Sequence, residues 1–236
     1  MTRRKTDAEL PVEQLWAATR SGERELQGML GRVAWQAVPV RPRQVQLRLL
    51  SYLIEGLSPL MLHSSIAMKM HTAGLGRKEI PTPEQEAEAG VLRDSDGNIL
   101  VPQEAILLGM RDAAKLFRIG KERAAQVLAS SVFVPAHLLY VPVRRDGRPL
   151  KTYDRVDVRR VVVQRQGVLR GRAVIDPPWQ VMGVLEFDPQ LISLEILMDI
   201  LDLAGTKAGL GNYRPAKGGA FGRYQLLQLE VAEVTT

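Results

Sequence analysis

Between residues 193 and 234 the chain changes character twice. Leu194, Leu197, Met198, Leu201 and Ala204 recur at helical spacing, and Gly209 stands where such a helix would close. The run Gly222–Val234 reads as a strand, with Tyr224, Leu226, Leu229, Val231 and Val234 as apolar positions and one change of phase that suggests a bulge. The connecting run, Gly209–Tyr224, holds five glycines, three cations and three aromatics. Any fold that accepts it must carry a helix end to a strand start through backbone unusually rich in glycine. Two readings follow. Glycine permits positive φ and lets a backbone approach a ligand closely, cations neutralise phosphates, and aromatic faces stack on bases. Alternatively the run is a helix cap followed by a flexible, hairpin-like connection.

The rest of the chain supplies the other parts of an α+β domain. Residues 44–55 alternate and read as a strand. Residues 63–90, with Met68, Met70, Gly74, Gly76, Pro81 and Pro83, read as a mobile excursion ending in a short helix near Pro83–Ala89. Val91–Arg93 and Ile99–Val101 flank an Asp-Gly turn, a hairpin signal. Pro102 opens a helix with Ala105, Leu108, Ala113, Leu116 and Phe117 on its buried stripe, and Gly120 closes it. Short strands follow at 132–134 and 138–143, then Val156–Gln164, a basic middle section, and Gln180–Phe187. The order is strand, insertion, helix, strand, strand, helix, strand. That is the split β-α-β of a ferredoxin-like plan: an antiparallel sheet with helices on one face. The predicted organisation is an N-terminal helical extension or arm over 1–43 and a domain over 44–236, with a large insertion after the first strand at about 64–101.

Composition narrows the chemistry. The chain has no cysteine, which excludes disulfides, thiolate zinc sites and a cysteine nucleophile. No apolar run approaches the roughly 18 residues of a membrane span, and no secretory signal opens the chain, so a cytoplasmic protein without membrane contact is expected. The net charge of +6 favours a polyanionic partner. The charge is concentrated: Arg144, Arg145, Arg148, Lys151, Arg155, Arg159, Arg160, Arg165, Arg170 and Arg172 face only Asp146, Asp154 and Asp157. Arg159 and Arg160 are neighbours on a strand and point to opposite faces unless the strand is bulged. Asp94 and Asp96 belong to a tight turn, and neither a metal nor a cofactor is expected. Trp179, after Pro177-Pro178, is read as packed in a core or interface in preference to stacking on a base.

Two segments resemble a known family. Gly90–Arg111 is similar to the strand-to-helix entry of the RAMP superfamily, the RRM-like proteins of CRISPR effector complexes. Gly209–Arg223 is similar to that superfamily's C-terminal glycine-rich loop. Length, insertion and spacing resemble a backbone subunit, or its short relatives in phages and prophages. The resemblance spans about residues 44–234. It implies an RRM-like core that polymerises head-to-tail into a filament or helix along single-stranded RNA, alone or with other effector subunits. The insertion would act as a thumb-like element reaching the next copy.

The expected binding residues are therefore Arg144, Arg145, Arg159, Arg160, Arg170 and Arg172 from the basic section. From the loop come Gly209, Gly211, Arg214, Lys217, Gly218, Gly219, Gly222 and Arg223. Single-stranded DNA remains an open alternative ligand, since no pattern marks a 2′-hydroxyl reader. The leading expectation is a non-catalytic protein. The alternatives are a RAMP-type RNA endonuclease, with His63 or His71 as general base, and a phage assembly or interaction module.

Overall fold

The structure is a computed structural model that describes residues 46–65, 67, 81–163 and 166–233. The expected arm over 1–43, His71 and most of the expected excursion lie outside the described residues. The described residues fall within one unit, Val45–Thr236. Their order is β1 (Arg48–Gly56), β2 (Leu60–Met61), α1 (Pro83–Ala89), β3 (Leu92–Arg93), β4 (Ile99–Pro102), α2 (Gln103–Ala113), β5 (Arg118–Ile119) and β6 (Glu122–Arg123). There follow α3 (Ala124–Ser131), β7 (Val132–Phe133), β8 (Tyr140–Arg145), β9 (Arg148–Pro149), β10 (Arg155–Val163), β11 (Gln166–Ile175), β12 (Gln180–Phe187), α4 (Leu194–Lys207) and β13 (Tyr224–Glu233).

The fold is α+β with antiparallel sheets. The main sheet runs β13-β1-β12-β8-β4-β3, with β7 paired to β12 and β9 to β8. Alternation in β1 decides which way it faces: Leu50, Tyr52 and Ile54 are buried, as are Val181, Leu185 and Phe187 of its neighbour β12. The same core holds Ile106, Leu107 and Met110 of α2 and Leu197, Ile200, Leu201 and Ala204 of α4. Helix periodicity and strand alternation therefore converge on one buried layer. The opposite sheet face is more open, and it carries Glu55, Glu186 and Glu230 on three adjacent strands. The β1–β13 register shifts between Leu53 and Ile54, which is the bulge expected from the phase change in β13.

A buried amide pins the start of α2 to the sheet. Gln103 is fully buried. Its Oε1 accepts from the Tyr52 hydroxyl at 3.0 Å and from the Val184 N–H at 2.8 Å. Its Nε2 donates to the Leu138 carbonyl. Gly183 makes room for this arrangement: a Cβ there would lie 2.2 Å from Gln103 Oε1. Trp179 is buried as expected, its Nε1 donating to the Ser58 carbonyl at 2.8 Å.

Three expectations need correction. The buried stripe of α2 is Ile106, Leu107, Met110 and Ala113, whereas Leu108 and Leu116, expected on it, are exposed. Gly120 does not close α2, which ends at Ala113 and continues as one 3₁₀ turn, Ala114–Leu116. Gly120, with φ +59°, instead forms the turn of the β5–β6 hairpin. A glycine at positive φ serves a helix end and a two-residue turn equally well, so sequence did not separate them. The basic middle section is a strand, β11, paired along its length with β10 and at its end with β2. Its alternation is broken by Gly171, a position forced by packing, because a Cβ there would meet the Pro83 carbonyl oxygen of α1 at 1.9 Å.

Candidate nucleic-acid interface

The glycine-rich loop begins at the end of α4. The Gly209 N–H donates to the Ala204 carbonyl at 2.8 Å, and Gly209 takes φ +69°, so it closes the helix as expected. From there the loop folds on itself and on the β1–β2 connection. The Leu210 N–H donates to the Gly222 carbonyl, Asn212 to Met61, Phe221 to Tyr213 and Gly222 to Pro59, all at 2.7 to 3.1 Å. The glycines make this closure possible. A Cβ on Gly219 or Gly222 would sit 1.7 Å from the carbonyl oxygen of Tyr213 or Leu210 respectively. Of the loop's glycines only Gly218 faces open space. The loop is thus a hydrogen-bonded platform, and its side chains carry its chemistry.

That platform meets the β10–β11 hairpin. The register sets Arg159 opposite Arg170, and Arg160 opposite Leu169, without a bulge. Arg159, Arg170 and Arg172 therefore share one face, and Arg160 lies on the other. The Arg159 guanidinium is 5.0 Å from the ring centres of both Tyr213 and Phe221, and that of Arg172 is 5.3 Å from Tyr213. These are cation–π distances. Arg159 is also paired with Asp157, which offsets its repulsion from Arg170 directly across the ladder. Nε and Nη1 of Arg172 are buried and have no hydrogen-bond partner among the described residues. The two segments singled out from the sequence are thus brought together through Tyr213 and Phe221.

The remaining expected residues divide by what they already hold. Arg170 sits 2.7 Å from Glu86, a carboxylate that is 5% exposed and whose second oxygen accepts the Gly171 N–H at 3.0 Å. Arg145 forms a two-pronged pair with Asp154 at 3.0 and 2.7 Å and also donates to the Asp176 carbonyl. That hydrogen bonding holds the Asp154 carboxyl below its usual range. Arg144 donates to the Gly147 carbonyl. Arg214 lies 3.8 Å from Asp112 and is largely buried. Arg160, Lys217 and Arg223 are exposed, and their side chains have no hydrogen bond or ion pair among the described residues. The latter three are the cations free to meet a ligand; Arg145 and Arg170 already serve internal pairs.

His63 lies in the same neighbourhood. Its pKa is lowered, first by partial desolvation and then by Arg172 and Arg170, against an opposing effect of Glu86. The imidazole is therefore neutral at neutral pH. Asp94 accepts N–H bonds from Asp96 and Asn98, the turn role expected of it.

Tyr213 and Phe221 were legible as loop aromatics but were not assigned to the site. Their signal was their interleaving with Arg214, Lys217 and Arg223. Glu86 had no signal at all, because its partner is 84 residues away.

No known family description matches the chain, and no curated protein matches it. Among solved structures, the chain is similar to the crystal structure of Cmr6 from Pyrococcus furiosus. That alignment covers 78% of this chain and 100% of the other, with 11% identity and a TM-score of 0.41.

Proposed function

We propose that this protein binds single-stranded RNA through the loop and the β10–β11 hairpin, and that copies assemble head-to-tail along the strand, with or without other effector subunits. The observation that carries the reading is the seating of Arg159 and Arg172 on Tyr213 and Phe221, beside the unpaired Lys217 and Arg223. Rings and guanidinium planes offer stacking surfaces to bases, while the cations neutralise phosphates. The core is read as ferredoxin-like, or RRM-like. Support comes from the order β13-β1-β12-β8, with α2 between β1 and β8 in the chain and α4 between β12 and β13. The open face of that sheet carries Glu55, Glu186 and Glu230, which repel phosphate. The strand is therefore assigned to the loop and hairpin, and the sheet face is left free for contacts between subunits.

Titration of a labelled RNA oligonucleotide at several salt concentrations tests this. For a single strand, each lost phosphate contact lowers the slope of log affinity against log salt by about 0.7. The variant Lys217→Ala with Arg223→Ala should bind more weakly, with a shallower slope. Unchanged affinity and slope would remove these residues from the site. Competition with a DNA oligonucleotide of equal length separates the two strand chemistries.

A second reading, RNA endonuclease, is favoured by His63. A neutral imidazole beside two arginines has the protonation state of a general base and a source of charge for a reacting phosphate. Cleavage of end-labelled RNA that disappears in His63→Ala would establish it. RNA left intact by saturating protein would dismiss it.

A further inference from the structure

We infer that a cavity beside this interface receives one unstacked base of the bound strand; the inference rests on the RNA-binding reading above. The cavity has a volume of about 540 Å³, within the usual range for small-ligand pockets of roughly 300 to 1,000 Å³. Its lining includes the apolar Leu100, Leu108 and Tyr140 and the polar His63, Asn212 and Lys217.

The fold brings these groups together by short steps. Leu100 lies on β4, which runs directly into α2 and so delivers Leu108 two turns later. Tyr140 opens β8, where it pairs with Pro102 at the end of β4. Lys217 ends the 3₁₀ turn of the glycine-rich loop. Leu108 and Tyr140 are 45% and 41% exposed. Two large apolar side chains are therefore left partly to water around one hollow whose lining includes Lys217.

This polarity matches a nucleotide: apolar base faces, polar base edges and an anionic phosphate. The cavity also neighbours the cation–aromatic cluster through two of its lining residues, His63 and Asn212. His63 lines it while lying within the electrostatic reach of Arg172 and Arg170. Asn212, also in its lining, immediately precedes Tyr213, on which Arg159 and Arg172 sit. A strand held by a phosphate on Lys217, which lines the cavity, can turn one base inward. Glu104, an acid in the same lining, disfavours a phosphate deep inside and can accept a hydrogen bond from an amino group on a base edge.

The test uses the full chain and a labelled RNA in which a single abasic residue is walked through the bound segment. A base held against an aromatic side chain should show as one position, or one per bound copy, whose loss weakens binding by about 5- to 100-fold. Leu108→Glu should abolish that position's sensitivity. If the variant does not fold, the walk on the parent protein decides alone. A uniform abasic profile overturns the base pocket and leaves the cavity to a protein partner, with RNA binding intact. A sensitive position that persists in folded Leu108→Glu also overturns it. Absence of salt-dependent RNA binding defeats the reading on which the pocket rests, a distinct result.

Discussion

Gly222→Ala should unfold the C-terminal loop and lower stability by about 3 kcal/mol or more. The contributions come from its surroundings. Gly222 has φ +68°, a conformation that costs an L-residue roughly 1–2 kcal/mol. An added Cβ would lie 1.7 Å from the Leu210 carbonyl oxygen, so one of the two chain segments must move. Movement breaks the bonds from Gly222 N–H to Pro59 and from Leu210 N–H to Gly222, each worth about 1 kcal/mol net. RNA binding should fall with stability, because Tyr213 and Phe221 are carried on the same closed backbone. Gly218→Ala is the control. It has φ +75° but no neighbour within 4 Å, so it retains only the conformational cost. Urea denaturation of both variants reads the difference as a shift in midpoint at constant slope. Equal, mild shifts would mean the loop is not closed in this way.

Gln103→Leu should be comparably damaging although it exchanges one buried side chain for another of similar size. The substitution orphans the buried Tyr52 hydroxyl and the partly buried Val184 N–H and Leu138 carbonyl. A buried polar group without a partner costs about 1–3 kcal/mol, which places the sum at roughly 3–5 kcal/mol after partial relaxation. Tyr52→Phe removes one partner while leaving the amide two others, and should cost about 1 kcal/mol. The same denaturation experiment ranks the two. A loss below that of Tyr52→Phe would show that the network does not hold α2 to β1 and β12.

Those two sites also mark how far the sequence could be read. Elements with a strong period were legible: β1 from Leu50, Tyr52 and Ile54, and α4 from Leu197, Leu201 and Ala204; the short α1 was placed in a stretch with little period, and the bulge in β13 came from a break of phase. The periodic elements were legible because one buried face imposes one repeat. β11 was not, since Gly171 answers to Pro83 of a helix far away in sequence, and its arginines read as a basic nucleic-acid-binding section without strand character. The two candidate segments, the glycine-rich run and the basic section, could be named from composition. Their meeting could not, because it depends on the strand register that turns Arg159 toward Tyr213 and Arg160 away from it. For the same reason composition could not distinguish Arg145 and Arg170, held by Asp154 and Glu86, from Lys217 and Arg223. Pairing of a charge is a property of three-dimensional neighbours.

The closed loop also bears on how this surface could be re-engineered. Its shape is fixed by backbone bonds and by glycines that, Gly218 apart, leave no room for a side chain, whereas Ala216, Lys217 and Ala220 are exposed positions. Scaffold and variable surface are thus separable, as in a binding loop grafted on a constant frame. A library randomised at those three positions would sample ligand preferences on an unchanged backbone. The glycines, usually the first residues replaced to stiffen a loop, are here the ones a designer should leave alone.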